Sequence, residues 1–174
     1  MPKIIEKVRE QLIAEARRQS SEVGYAQMTM RSVASGCGIA TGTIYNYFSS
    51  KDRLVAAFMQ EDWKACEDGL KKRIARSDSG EKILKMVFTE LSTFEKKHEM
   101  LFSDTDAIHT YAKSFGDRHI GFRMLLSELI KPALTASAEK DNPFLPEFIA
   151  EALIAWTLEE AEFEEFYSVI RHLL

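Results

Sequence analysis

Residues 29–51 read TMRSVASGCGIATGTIYNYFSSK, and their order of small, glycine, aliphatic and hydroxyl-bearing residues specifies two short helices joined by a tight turn. Thr29 stands where its hydroxyl can cap the exposed amides of Met30–Val33. Met30, Val33 and Ala34 then share the buried face. Two short helices that cross steeply need a small side chain at the crossing, and Ala34 sits there. Gly38 lies four positions on and tolerates the positive φ that the turn requires. Cys37 fits the turn as a small buried side chain. Ile39 and Ile44 are spaced to bury a second helix, Ile39 to Phe48, against the first, with Phe48 in the core.

The solvent side of that second helix is unusual. Thr41, Gly42, Thr43, Tyr45, Asn46 and Tyr47 are uncharged within seven positions, where a merely solvated face would carry Glu and Lys. Hydroxyls and amides can reach phosphate oxygens or base edges without the desolvation cost of charge. Gly42 lets the backbone approach a groove closely. Lys51 adds a cation beside helix amides that already favour phosphate. Core aromatics of a plain bundle would explain Tyr45 and Tyr47 alone, but not the glycines and the trailing Ser-Lys with them.

Charge is distributed to match. Residues 1–60 carry eight Lys/Arg and five Asp/Glu, a net +3, whereas 61–174 carry fifteen and twenty-two, a net −7. An electropositive N-terminal third on an acidic body suits a small DNA-reading module joined to a part with another task. Hydrophobic content of 45% in 174 residues excludes a disordered tail. No apolar run approaches the roughly 18 residues of a membrane span. MPKIIEKVRE lacks a signal-peptide core, so a cytoplasmic location is expected. Two cysteines without paired or metal spacing, Cys37 and Cys66, fit a reducing compartment.

Working outward, the apolar periodicity is helical throughout and nowhere alternates as a strand would, so the fold class is all-α. A first helix runs from about Lys3 to Ser20 on a stripe of Ile4, Ile5, Val8, Leu12, Ile13 and Ala16, and ends around Gly24. Ser49-Ser50-Lys51-Asp52 has capping-box spacing. It opens a long helix whose face is Leu54, Phe58, Asp62 or Trp63, Cys66, Leu70 and Ile74. SDSG at 77–80 is a linker. Ile83, Leu84, Val87, Phe88, Leu91 and Phe94 form the next stripe. Met100 to Phe115 is interrupted at Ser103-Asp104-Thr105. Arg118 to Ser137 is helical with a kink at Pro132. Helices over Phe144–Leu158 and Glu160–Leu174 close the chain.

GCGIATGTIYNYFSSKDRL, preceded by Gly24-Tyr25, Thr29 and Val33-Ala34, resembles the recognition segment of the TetR family of bacterial transcriptional regulators, over roughly residues 12–54. The resemblance implies an N-terminal three-helix DNA-binding domain, 1–50, followed by a helical ligand-binding and dimerisation domain, 51–174. It implies phosphate contacts from Thr29, Tyr45, Tyr47 and Lys51, and base-edge contacts from Thr41, Thr43 and Asn46 beside Gly42. Arg31 is a further phosphate or base contact. Ala40 stands where the family often has a capping Ser or Thr, so that cap is missing or shifted to Thr41. Ser20 replaces a common large aromatic of the first helix.

The family's dimer bundle would take Phe148, Ile149, Ala152, Leu153 and Trp156 with Phe163, Phe166, Ile170 and Leu173. Read as residues alone, these faces could also close the chain's own core. A homodimer places two reading helices roughly 34 Å apart, one per major groove of a pseudo-palindromic operator in double-stranded DNA. By analogy, Trp63, Phe88, Met100, Phe102, His109, Tyr111, Phe115 and Phe122 would line a pocket for a small-molecule effector, apolar or aromatic by default. The expected protein is therefore a ligand-released repressor, without cofactor or membrane partner, its ligand signal carried by the fourth helix. The competing reading is a helical ligand- or metal-binding protein that acts by protein contact.

Metal binding has one pattern behind it, Glu95-x-x-His98 and Asp106-x-x-His109. On one helix these pairs lie about 16 Å apart along the axis, too far to share an ion, and a solvated face explains them better. No nucleophile elbow or phosphate loop occurs, and His119 and His172 have no evident partners, so no enzyme is expected.

Overall fold

The computed structural model describes residues 2–102, 121–135, 137 and 141–174. Among them the chain forms α1 (Pro2–Gln27), α2 (Met30–Gly36), α3 (Thr41–Ile44), α4 (Lys51–Ile74), α5 (Gly80–Lys97), α6 (Glu99–Phe102) and a helix over 121–130 (α7). A 3-10 turn at Lys131–Leu134, α8 (Leu145–Leu158), α9 (Phe163–Ile170) and a second 3-10 turn at Arg171–Leu173 follow. No strand occurs among the described residues. The all-α expectation holds.

Two compact units divide the chain, residues up to 64 with those from 98 to 113, and residues 65–97 with those from 114 onward. In the first unit, Gly24 breaks α1 at φ 78, ψ 172, and residues 25–27 add a last turn beyond it. An L side chain is strained there, so the glycine ends the long helix where the sequence placed its end. Leu12, Ile13 and Ala16 of α1 are fully covered. They share one core with Tyr25, Met28, Met30, Val33, Ala34, Ile44 and Phe48. Leu54, Val55 and Phe58 of α4 and Leu101 of α6 belong to the same core, so the cover of α1–α3 runs on past residue 50. Ser20 is buried at 3% exposure, its small side chain standing where a ring would demand more room.

Polar groups tie α1 to α4. Arg17 Nε stands 3.0 Å from Asp62 Oδ1, and His98 Nε2 stands 3.2 Å from Asp62 Oδ2. Both Asp62 and His98 are buried. The expected solvated face is thereby corrected for His98: its imidazole meets a carboxylate and, 6.0 Å centroid to centroid, the ring of Phe58. Asp106 and His109 of the repeated spacing lie outside the described residues, as does His119, whereas His172 is exposed.

In the second unit, α5 buries Ile83, Leu84, Val87, Phe88, Leu91 and Phe94, the full expected stripe. That face packs on α8, α9 and the Lys131–Leu134 turn. The helix expected to kink at Pro132 instead leaves α geometry after Ile130 and tightens to 3-10, because proline cannot donate to the helical ladder. A Cβ on Gly80 would come within 2.4 Å of the Ala133 carbonyl oxygen, so the linker glycine permits that close approach. Glu160, at φ 53, ends α8, and a reciprocal box between Glu162 and Glu165 starts α9.

Five residues expected at a dimer seam are used inside this core. Ile149, Leu153, Phe163, Phe166 and Ile170 are each at most 5% exposed. A side chain already stripped of water by its own chain has no surface to offer a second copy. Phe88 belongs to the same cluster, 5.6 Å edge-to-face from Phe163 and 5.8 Å from Phe166, so it fills core instead of lining a pocket. Ala152, Trp156 and Leu173 are half-buried, and Phe148 is 57% exposed.

Candidate nucleic-acid interface

The turn between α2 and α3 is built as its residue types require. Gly38 takes φ 67, Ile39 N donates to the Ala34 carbonyl at 3.0 Å, and Val33, Ala34 and Ile44 have no exposed surface. With the inner faces of both helices consumed, Arg31, Thr41, Gly42, Tyr45 and Asn46 face outward, Tyr45 at 53% exposure. Thr43 and Tyr47 are half-buried, and Tyr47 packs partly against the core. A Cβ on Gly42 would meet nothing within 4 Å, so no steric demand within the chain accounts for this glycine.

α3 is shorter than the expected helix over Ile39–Phe48. Only Thr41–Ile44 is α-helical. The amides of Asn46 and Tyr47 reach back three residues, to Thr43 at 3.1 Å and Ile44 at 3.0 Å, which tightens the chain out of α geometry. Ala40 occupies the N-cap without a side-chain bond, so the cap is missing and not shifted. The start of α2 is capped fully: Thr29 Oγ1 accepts from Ser32 N at 3.0 Å, and Thr29 N donates to Ser32 Oγ at 3.0 Å. The Thr-x-x-Ser spacing was the signal for Ser32, which sequence reasoning passed over.

At the start of α4 the capping register differs from expectation. Ser50 Oγ accepts from Arg53 N at 3.2 Å, making Ser50 the cap, and Asp52 instead accepts the Tyr25 hydroxyl. Lys51 donates to the Tyr25 carbonyl at 2.9 Å, its ammonium 3.7 Å from the Tyr25 ring centroid. The cation is therefore held on the end of α1. Cys37 sits half-buried in the turn, and burial pushes its thiol pKa up, with the Glu15 charge adding to the effect. A protonated thiol is a poor redox nucleophile.

Few of the candidate effector residues have described side chains. Trp63 is buried and Phe122 half-buried, while the side chains of Met100, Phe102, His109, Tyr111 and Phe115 lie outside the described residues.

A capped helix, a glycine turn and a short second helix with an outward hydroxyl surface define a helix-turn-helix protein. Residues 12–58 match the model of the bacterial regulatory proteins of the tetR family. It is 39% identical over 54 residues to the HTH-type transcriptional regulator HbdR of Aromatoleum sp. (strain CIB), covering 31% of this chain and 24% of that protein. It is 22% identical over 145 residues to the HTH-type transcriptional regulator UidR of Escherichia coli (strain K12), covering 83% of this chain and 64% of UidR. The chain thus spans less than two thirds of either relative. In fold it resembles a TetR-family transcriptional regulator from Pectobacterium atrosepticum, with TM-score 0.72, 18% identity, and 100% of this chain and 95% of that one covered. It also resembles RolR in complex with resorcinol, at TM-score 0.71 and 18% identity, over 99% and 90% of the two chains.

Proposed function

We propose that the protein is a transcriptional regulator that binds a pseudo-palindromic DNA operator through residues 1–50 and represses from it. The observation that carries the reading is the surface of Thr29, Arg31, Thr41, Gly42, Tyr45 and Asn46, exposed on a turn whose inner residues are fully buried. Thr41, Thr43 and Asn46 face base edges, and Thr29, Tyr45 and Tyr47 donate hydroxyls to phosphates. Lys51, seated on Tyr25, supplies positive potential at the edge of that surface.

Residues 51–174 act in dimerisation and effector binding. Phe144, Phe148 and Leu158 of the α8 segment, at 75%, 57% and 53% exposure, support a seam with a second copy. The effector is a small apolar or aromatic molecule; RolR, a fold relative, holds resorcinol. Its binding favours a dimer whose reading helices no longer match successive grooves.

The test is fluorescence anisotropy on fragments selected from the host genome. Affinity for a selected fragment is expected to fall steeply with salt. Tyr47→Phe, which keeps the ring that packs on the core, weakens binding to all fragments alike, whereas Thr41→Ala changes the preferred sequence. A protein with no salt-dependent affinity for any fragment would sink the reading. Equal losses across operator variants for both substitutions would remove Thr41 from the base contacts.

A further inference from the structure

A line of polar side chains on α1 ends at the first turn of α2. Arg18 donates to the Glu15 carboxylate through Nε at 2.9 Å and Nη2 at 2.7 Å. Gln19 Nε2 donates to Glu15 Oε1 at 2.7 Å, and the Ser32 hydroxyl donates to Gln19 Oε1 at 2.6 Å. Ser32 Oγ in turn accepts from Thr29 N, while Thr29 Oγ1 accepts from Ser32 N.

The donors and acceptors fix a direction along this line. The Arg18 hydrogen bond is the largest of the influences that hold Glu15 below the usual carboxylate range, so the carboxylate is ionised and only accepts. Gln19 must then turn its amide NH2 to Glu15 and its carbonyl to Ser32. Of the two acceptors in reach of the Ser32 hydroxyl, Gln19 Oε1 at 2.6 Å is nearer than the Thr29 carbonyl at 2.9 Å. Thr29 Oγ1 accepts from the Ser32 amide, which leaves the Thr29 hydroxyl proton to be donated from an exposed position.

We propose that Glu15, Gln19 and Ser32 are positioning residues, a relay that holds Thr29 as a hydroxyl donor to a DNA phosphate; the inference rests on the DNA-binding reading above. Without Gln19 the Ser32 proton has another acceptor, the Thr29 carbonyl 2.9 Å away. The capping box then survives while its anchor on α1 is lost. Gln19→Met is therefore expected to fold and to present Thr29 less rigidly.

The experiment is a double-mutant cycle on DNA affinity, using a fragment selected by the wild-type protein, with folding checked by circular dichroism. Thr29→Gly serves as the second background, because glycine is tolerated at a helix start nearly as well as a capping residue. Gln19→Met alone is expected to weaken binding about three- to tenfold, the range of one hydrogen bond. In the Thr29→Gly background the same substitution changes affinity less than about twofold, because the group it positions is gone. Equal losses in both backgrounds, or wild-type affinity for Gln19→Met alone, overturn the relay while leaving DNA binding intact. Absence of wild-type binding to every fragment overturns the DNA-binding reading itself.

Discussion

Gly42 separates the demands of folding from those of binding more cleanly than any other position on the candidate interface. A methyl group there meets nothing within 4 Å and sits inside α3, where alanine is favoured over glycine by about 1 kcal/mol. Gly42→Ala is expected to raise the midpoint of thermal unfolding while lowering DNA affinity, because the added methyl stands between backbone and groove. A variant with unchanged affinity would show that no close approach occurs there. Cys37 gives the opposite lesson. Its surroundings in the turn answer to folding alone, because burial raises the thiol pKa and favours the neutral, packed form. Single residues are thus legible from sequence when their chemistry is local, as with Thr29 and Gly38. Gln19 was not legible, since its partner Ser32 stands 13 residues downstream and only the fold brings it near.

At the scale of elements, the stripes that decide helix identity were read correctly wherever one face does all the burying, as on α5. Helix ends were read less well. α3 stops at Ile44 because its next amides bond three residues back, and the α4 cap falls on Ser50 because Asp52 is taken by Tyr25. Neither competition is visible in local spacing. The joint of α1 with α4 offers a direct test. Asp62 faces Arg17 at 3.0 Å and His98 at 3.2 Å, so Asp62→Ala strips both of a buried carboxylate. Breaking a fully buried pair costs roughly 3–5 kcal/mol. Arg17 is a third exposed and can recover solvation, which lowers the expected loss to about 2–3 kcal/mol by urea unfolding. A loss under about 0.5 kcal/mol would place this contact among ordinary surface ion pairs.

For the molecule as a whole, the seam between copies is where sequence and structure part most. The family resemblance implied nine seam residues on the last two helices, but the chain buries five of them in its own core. A pattern of apolar positions shows that a face is covered and not by whom. Phe148 survives as an exposed ring, and Phe148→Glu is expected to shift the sedimentation profile toward monomer without lowering the unfolding midpoint. A profile indistinguishable from wild type would move the seam elsewhere. The core shared by α1, α2, α3, α4 and α6 carries one more consequence. A chimaeric regulator cut at residue 50 would leave behind Leu54, Val55, Phe58 and Leu101, and with them part of the roof over its own reading head. Moving the proposed DNA-binding surface into another protein therefore calls for a splice within α4 after Lys64, with a substitute for Leu101 supplied by the recipient.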